Sequence, residues 1–81
     1  MLAEKNIKIN KDLDLDAVYV NYLDAPYYDS DSIDTEEIED GIYRVYNEEK
    51  PYITYRYTIL DFSYNNKRHL ENITGIDFSN I

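Results

Sequence analysis

The residues best suited to chemistry are acids, and they are crowded. Between positions 29 and 40 lie Asp29, Asp31, Asp34, Glu36, Glu37, Glu39 and Asp40. A calcium loop of twelve residues needs oxygen ligands at its positions one, three, five and twelve, and a glycine at six for the sharp turn. Asp29, Asp31 and Asp40 fit the first, third and last of these, but Ile33 stands at five and Asp34 at six. The segment is therefore no specific calcium site, and adventitious cation binding is the most it offers. Acid/base catalysis asks for two carboxyls whose surroundings push their pKa values apart inside a cleft. A run of mutually repelling, solvated acids supplies no such asymmetry.

The remaining chemistry is sparse. His69 is the single histidine and there is no cysteine, which excludes a Cys/His zinc site, a thiol nucleophile and a disulfide framework. Next to Arg68, His69 reads as an exposed residue of a polar turn. Gly41 and Gly75 are the only glycines, so no phosphate-cradling glycine-rich loop exists. The Asn72-Ile73-Thr74 triplet matches a glycosylation acceptor, but no secretory leader precedes it. These residues indicate no catalytic group, no metal and no cofactor, hence a protein that is not an enzyme.

Charge distribution is the most informative feature. The 81 residues carry 17 acids against 8 Lys and Arg, a net charge of −9. Eleven of the acids and none of the bases fall within residues 12–43, so the rest of the chain is close to neutral. An apolar content of 43%, with 10 Tyr, argues against disorder despite the charge. A single domain spanning residues 1–81 is expected. No apolar run reaches the length of a membrane span and the first residues lack a signal segment, which points to the cytoplasm, that of a host cell if the protein is viral.

The elements that must carry these groups follow from periodicity. Alternation of apolar and polar residues with a period of two is the main signal, and the tyrosines favour strands. The expectation is a mainly β, α+β fold: a small antiparallel sheet of about four strands with one short acidic helix or loop. Residues 13–23 read as a strand with Leu13, Leu15, Ala17, Tyr19 and Leu23 on one face. Residues 51–64 read as the clearest strand, pairing antiparallel with residues 41–46 through a polar connection, with Tyr43, Val45, Tyr55 and Tyr57 among the cross-strand partners. Short strands are expected at residues 5–10, before a turn at 10–12, and at residues 73–78, after a turn at 65–68. Residues 27–40 are read as a short helix in preference to a loop, capped by Ser32 and stopped by Gly41.

A fixed array of carboxylates on a small domain can occupy the positions of nucleic-acid phosphates, and electrostatic steering speeds its docking on a basic groove. The partner-binding residues expected from this reading are Asp24, Tyr27, Tyr28, Asp29, Asp31, Asp34, Glu36, Glu37, Glu39 and Asp40, with the tyrosines as interface anchors. The partner is the basic surface of a nucleic-acid-binding protein. Direct nucleic-acid binding is disfavoured by the sign of the charge, and Lys67-Arg68 and Lys5, Lys8 and Lys11 form only small basic clusters. In size, acidity and lack of a catalytic constellation the chain resembles the small inhibitors that phages encode against host nucleic-acid enzymes, including anti-CRISPR proteins and DNA mimics. That resemblance implies an anti-defence inhibitor and transfers no residue roles. Two alternatives share the same surface: an immunity or antitoxin-type protein covering a toxin active site, and a structural subunit, monomer or homodimer, that self-associates through the edge of the strand in residues 52–64.

Overall fold

Five strands and one helix account for most of the chain in the computed structural model, which describes residues 6–23, 32–79 and 81. The strands are β1 (Ile7–Asp12), β2 (Ala17–Tyr22), β3 (Ile33–Glu39), β4 (Ile42–Asn47) and β5 (Thr54–Ile59), followed by a 3-10 turn at Phe62–Tyr64 and helix α1 (Lys67–Thr74). They form one antiparallel sheet in the order β1-β2-β5-β4-β3. The fold is thus α+β and mainly β. Its edges are β1 and β3, and β5 lies at the centre, paired on both sides.

One face of the sheet is built on Val18 and Val20 of β2, Ile59 of β5 and Ile42 of β4. Phe62, Leu70 and Phe78 from the C-terminal third close over them, all seven being buried. Burying such side chains stabilises the fold by about 1.5–3 kcal/mol each. The opposite face, which carries Lys8, Asn10, Tyr19, Asn21, Tyr43, Val45 and Arg56, has none of the described helical or C-terminal segments over it.

Several sequence expectations change here. In the described part of the acidic segment there is a strand where a helix was expected: residues 33–39 are the edge strand β3, and residues 27–31 lie outside the described residues. A helix would stack Glu36 against Glu39 and Asp40 at the repulsive three- and four-residue spacings. A strand instead sends alternate acids to opposite sides, where β4 supplies Arg44 opposite Glu36 and Tyr43 opposite Glu37. The helix lies at Lys67–Thr74 instead, where a turn and then a strand were expected. Asn66 caps it, its Oδ1 accepting the N–H groups of Arg68 and His69 at 2.9 and 3.2 Å. Leu70 and Ile73, one turn apart, face the core. Gly75, at φ 75, ends the helix in the left-handed region that favours glycine.

The strand expected at residues 13–23 starts only at Ala17, because residues 13–16 form the β1–β2 turn. Leu13 and Leu15 are 78% and 63% exposed, and the core takes the other parity, Val18 and Val20. Residues 10–12 continue β1 where a turn was expected. The long strand expected at 51–64 is cut to six residues, since residues 51 and 52 turn and Asp61 adopts φ 51. Its antiparallel pairing with β4 is present, but Tyr43 faces Thr58 and Arg44 faces Tyr57. Tyr57 packs edge-on against Tyr22, with ring centroids 6.0 Å apart.

Candidate functional site

The acidic edge is the site to build. Among the described residues β3 pairs only with β4, so none of the described strands lies beside its other backbone edge, and six of its seven residues are exposed. The sequence places Asp34, Glu36, Glu37 and Glu39 on this strand and Asp40 in the following turn. At about 3.3 Å per residue, these five carboxylates run along roughly 20 Å. The register shifts between Glu37 and Glu39, which makes Ile38 an extra residue on that strand. Ile38 packs on the core, and the bulge brings Glu39 to the same face, opposite Ile42, where its carboxylate meets His69 Nε2 of α1 at 2.7 Å. His69, expected as a solitary exposed residue, is half-exposed and ties the edge strand to the helix.

Neighbouring groups divide the five acids into two kinds. Glu36 is neutralised: Arg44 donates from Nε and Nη2 to one of its oxygens at 3.0 and 2.6 Å. The same guanidinium donates to Pro51 O and Thr54 Oγ1 at 2.8 and 2.9 Å and lies 4.7 Å from the centre of the Tyr46 ring. Glu37 accepts the Tyr43 hydroxyl, which raises the phenol above its usual pKa of 10.0 through that hydrogen bond first and the glutamate's charge second. Tyr46 is raised by burial first, then by the charges of Asp34, Glu36 and Glu48, against a smaller lowering by Arg44. Asp34, Glu37 and Asp40 have no ion-pair partner among the described residues, and Glu39 has the His69 ring alone.

The expected site is only partly assembled. Asp34, Glu36, Glu37, Glu39 and Asp40 come together along the β3 edge. Asp24, Tyr27, Tyr28, Asp29 and Asp31 lie outside the described residues. The other acids of the run, Asp12, Asp14 and Asp16, sit at the end of β1, on the opposite edge of the sheet. Four strand spacings of about 4.8 Å separate the two groups by roughly 19 Å. The contiguous charge of residues 12–43 is therefore not one acidic face.

Asp16 has a structural task that its place in the acidic run did not reveal. With φ 50, it accepts Ser63 Oγ at 2.6 Å and the Ser63 N–H at 3.2 Å. Its backbone carbonyl accepts the Phe62 N–H. Together these bonds hold the 3-10 turn against the β1–β2 turn, and no local motif announces so distant a pairing.

Among the described residues no three acidic or histidine side chains converge on a metal-sized site, and no buried side-chain polar atom lacks a partner. No described helix is long and apolar enough to cross a membrane. No family model, curated protein or solved structure matches the chain.

Proposed function

We propose that the protein is a non-enzymatic inhibitor whose β3 edge docks in the basic groove of a nucleic-acid-binding protein, in the manner of a phage anti-defence or anti-CRISPR protein. The observation that supports this reading is the gathering of charge along one edge. A β-strand advances about 3.3 Å per residue, close to the 3.4 Å per phosphate along one strand of duplex DNA. Asp34 and Glu37 leave β3 on opposite faces of the sheet and Asp40 follows in the turn, so three acids without a cation flank one edge from both sides within roughly 20 Å. Glu36 and Glu39 lie between them, already bridged to Arg44 and His69. A partner rich in Lys and Arg gains on-rate from this edge, and the attraction is screened over about 8 Å at physiological ionic strength.

Competition measures this directly. The protein should displace a labelled DNA duplex from nucleases and other basic-groove proteins at low salt and lose this ability as salt rises. The variant D34N/E37Q/D40N should associate roughly tenfold or more slowly, whereas E36Q, which alters an internally paired acid, should compete nearly as well as the unsubstituted protein. Equal competition by the triple variant would exclude the β3 edge as the mimic. Failure of the protein to displace duplex from any basic-groove protein would exclude the inhibitor reading.

A further inference from the structure

The face of the sheet that carries neither α1 nor the described C-terminal residues bears a feature of opposite sign to the net charge of the molecule. Lys8, Asn21 and Arg56 are directly opposite one another across β1, β2 and β5, so strand spacing of about 4.8 Å sets their backbones in a row roughly 10 Å long. Asn10 and Tyr55 join them around an open hollow of about 360 Å³, whose other end is formed by Leu23, Ile33 and Val45. Leu23 and Ile33 are among the few large apolar side chains left 50% and 37% exposed. Among the described residues no carboxylate lines the hollow.

In a chain with 17 acids and 8 Lys and Arg, two adjacent cations with no acid beside them among the described residues are unusual. Other cations are engaged: Arg44 holds Glu36, Lys67 Nζ donates to Ile81 O, and Lys11 lies over the Phe62 ring. Among the described residues Lys8 and Arg56 make no ion pair, and Arg56 lies 6.0 Å from the centre of the Tyr19 ring. A cation-amide-cation row selects an oxyanion, because Arg and Lys donate charge-assisted hydrogen bonds to carboxylates and an amide adds a further donor. The apolar end selects an aliphatic neighbour to that anion.

We propose that this hollow docks an extended segment of a partner protein in which a single Asp or Glu is flanked by aliphatic residues, the carboxylate lying on Lys8, Asn21 and Arg56 and an aliphatic side chain on Leu23, Ile33 and Val45. Charge decides against a polyanion. Nucleic acid approaching this face meets the repulsion of a protein with net charge −9, whereas one carboxylate on an otherwise neutral peptide feels mainly the cations within a Debye length of about 8 Å.

Titration of isotopically labelled protein with the blocked peptide acetyl-LTETL-amide, followed by backbone amide shifts, tests the site. Saturable shifts are expected at residues 8, 10, 21, 45, 55 and 56, with a dissociation constant on the order of 1 mM. The control acetyl-LTQTL-amide should bind roughly tenfold more weakly, and K8E/R56E should weaken the LTETL peptide at least as much. The milder K8Q/R56Q variant repeats the measurement should the charge reversals disturb the spectrum of the free protein. No saturation at millimolar peptide, equal affinity for the two peptides, or undiminished binding to both variants overturns the proposal. So does tighter binding of an oligothymidylate at the same residues, which would assign the face to nucleic acid, and so do the same shifts on concentrating the protein alone, which would assign it to a second copy.

Discussion

Arg44 governs how much of the β3 charge faces outward. Its guanidinium makes four hydrogen bonds, two to Glu36 and one each to Pro51 O and Thr54 Oγ1, so it ties β3, β4 and the β4–β5 connection together. Substituting Arg44→Ala should lower stability by about 1–3 kcal/mol in urea titrations. Glu36→Gln should cost less than about 1 kcal/mol, since that acid is half-exposed. Loss of Arg44 also removes the one cation that lowers the Tyr46 phenol, so R44A should move Tyr46 ionisation to still higher pH. Tyrosinate absorbance of R44A against R44A/Y46F reads that shift. Tyr22, Tyr43 and Tyr46 all lie above 10.0 in the folded state, Tyr22 mainly through burial. Folded protein thus holds these protons more tightly than unfolded protein. Their contribution is complete below about pH 10 and is lost as pH rises through the raised values. Urea midpoints should therefore fall above about pH 10, and less steeply in Y22F.

Turns and caps decide where the elements stop. Asp16 combines a left-handed backbone with a carboxylate bonded to Ser63, and these effects separate by substitution. D16N keeps an acceptor and tolerates the conformation, D16G keeps only the conformation, and D16A keeps neither. Stability should fall in that order, with D16A about 1–3 kcal/mol below the parent protein by thermal or urea unfolding. A ranking with D16G last would mean that the left-handed backbone does not limit this turn. The β3 bulge works similarly at the scale of an element. One extra residue lets Glu39 meet the helix on the same face on which Ile38 packs against the core, so the edge strand is anchored twice on its core side.

Across the whole molecule, strand order has more effect than strand content. The sheet ends in β1 and β3, so self-association through the strand of residues 52–64 has no edge to use: β5 is flanked by β2 and β4. The exposed edge with most charge is β3, and like charges on an edge oppose pairing with a second copy. Neutralising it in D34N/E36Q/E37Q should raise the apparent mass in light scattering with increasing concentration, and salt should have the same effect on the parent protein by screening. A variant that stays monomeric at all concentrations would show that shape, not charge, protects this edge. The same order splits the acidic run between two edges and brings Lys8, Asn21 and Arg56 into one row, although they are distant in sequence.

By itself the sequence determined the class of the protein. Period-two alternation and tyrosine content specify a sheet, and the antiparallel pairing of the strands on either side of residues 48–53 follows from a short polar connection. The absence of cysteine and of glycine-rich loops is equally plain in the residues. Tertiary structure decided what local pattern leaves open. Residues 33–39 contain good helix formers, yet cross-strand partners on β4 hold them as a strand. Helix α1 falls where the sequence reads as a turn and a strand, because its short apolar stripe, Leu70 and Ile73, also fits a strand until Phe62 and Phe78 enclose it. Counting charge along the chain finds one acidic stretch. Only the order of strands shows which acids share an edge, because neighbours in a sheet are set by pairing and not by sequence distance.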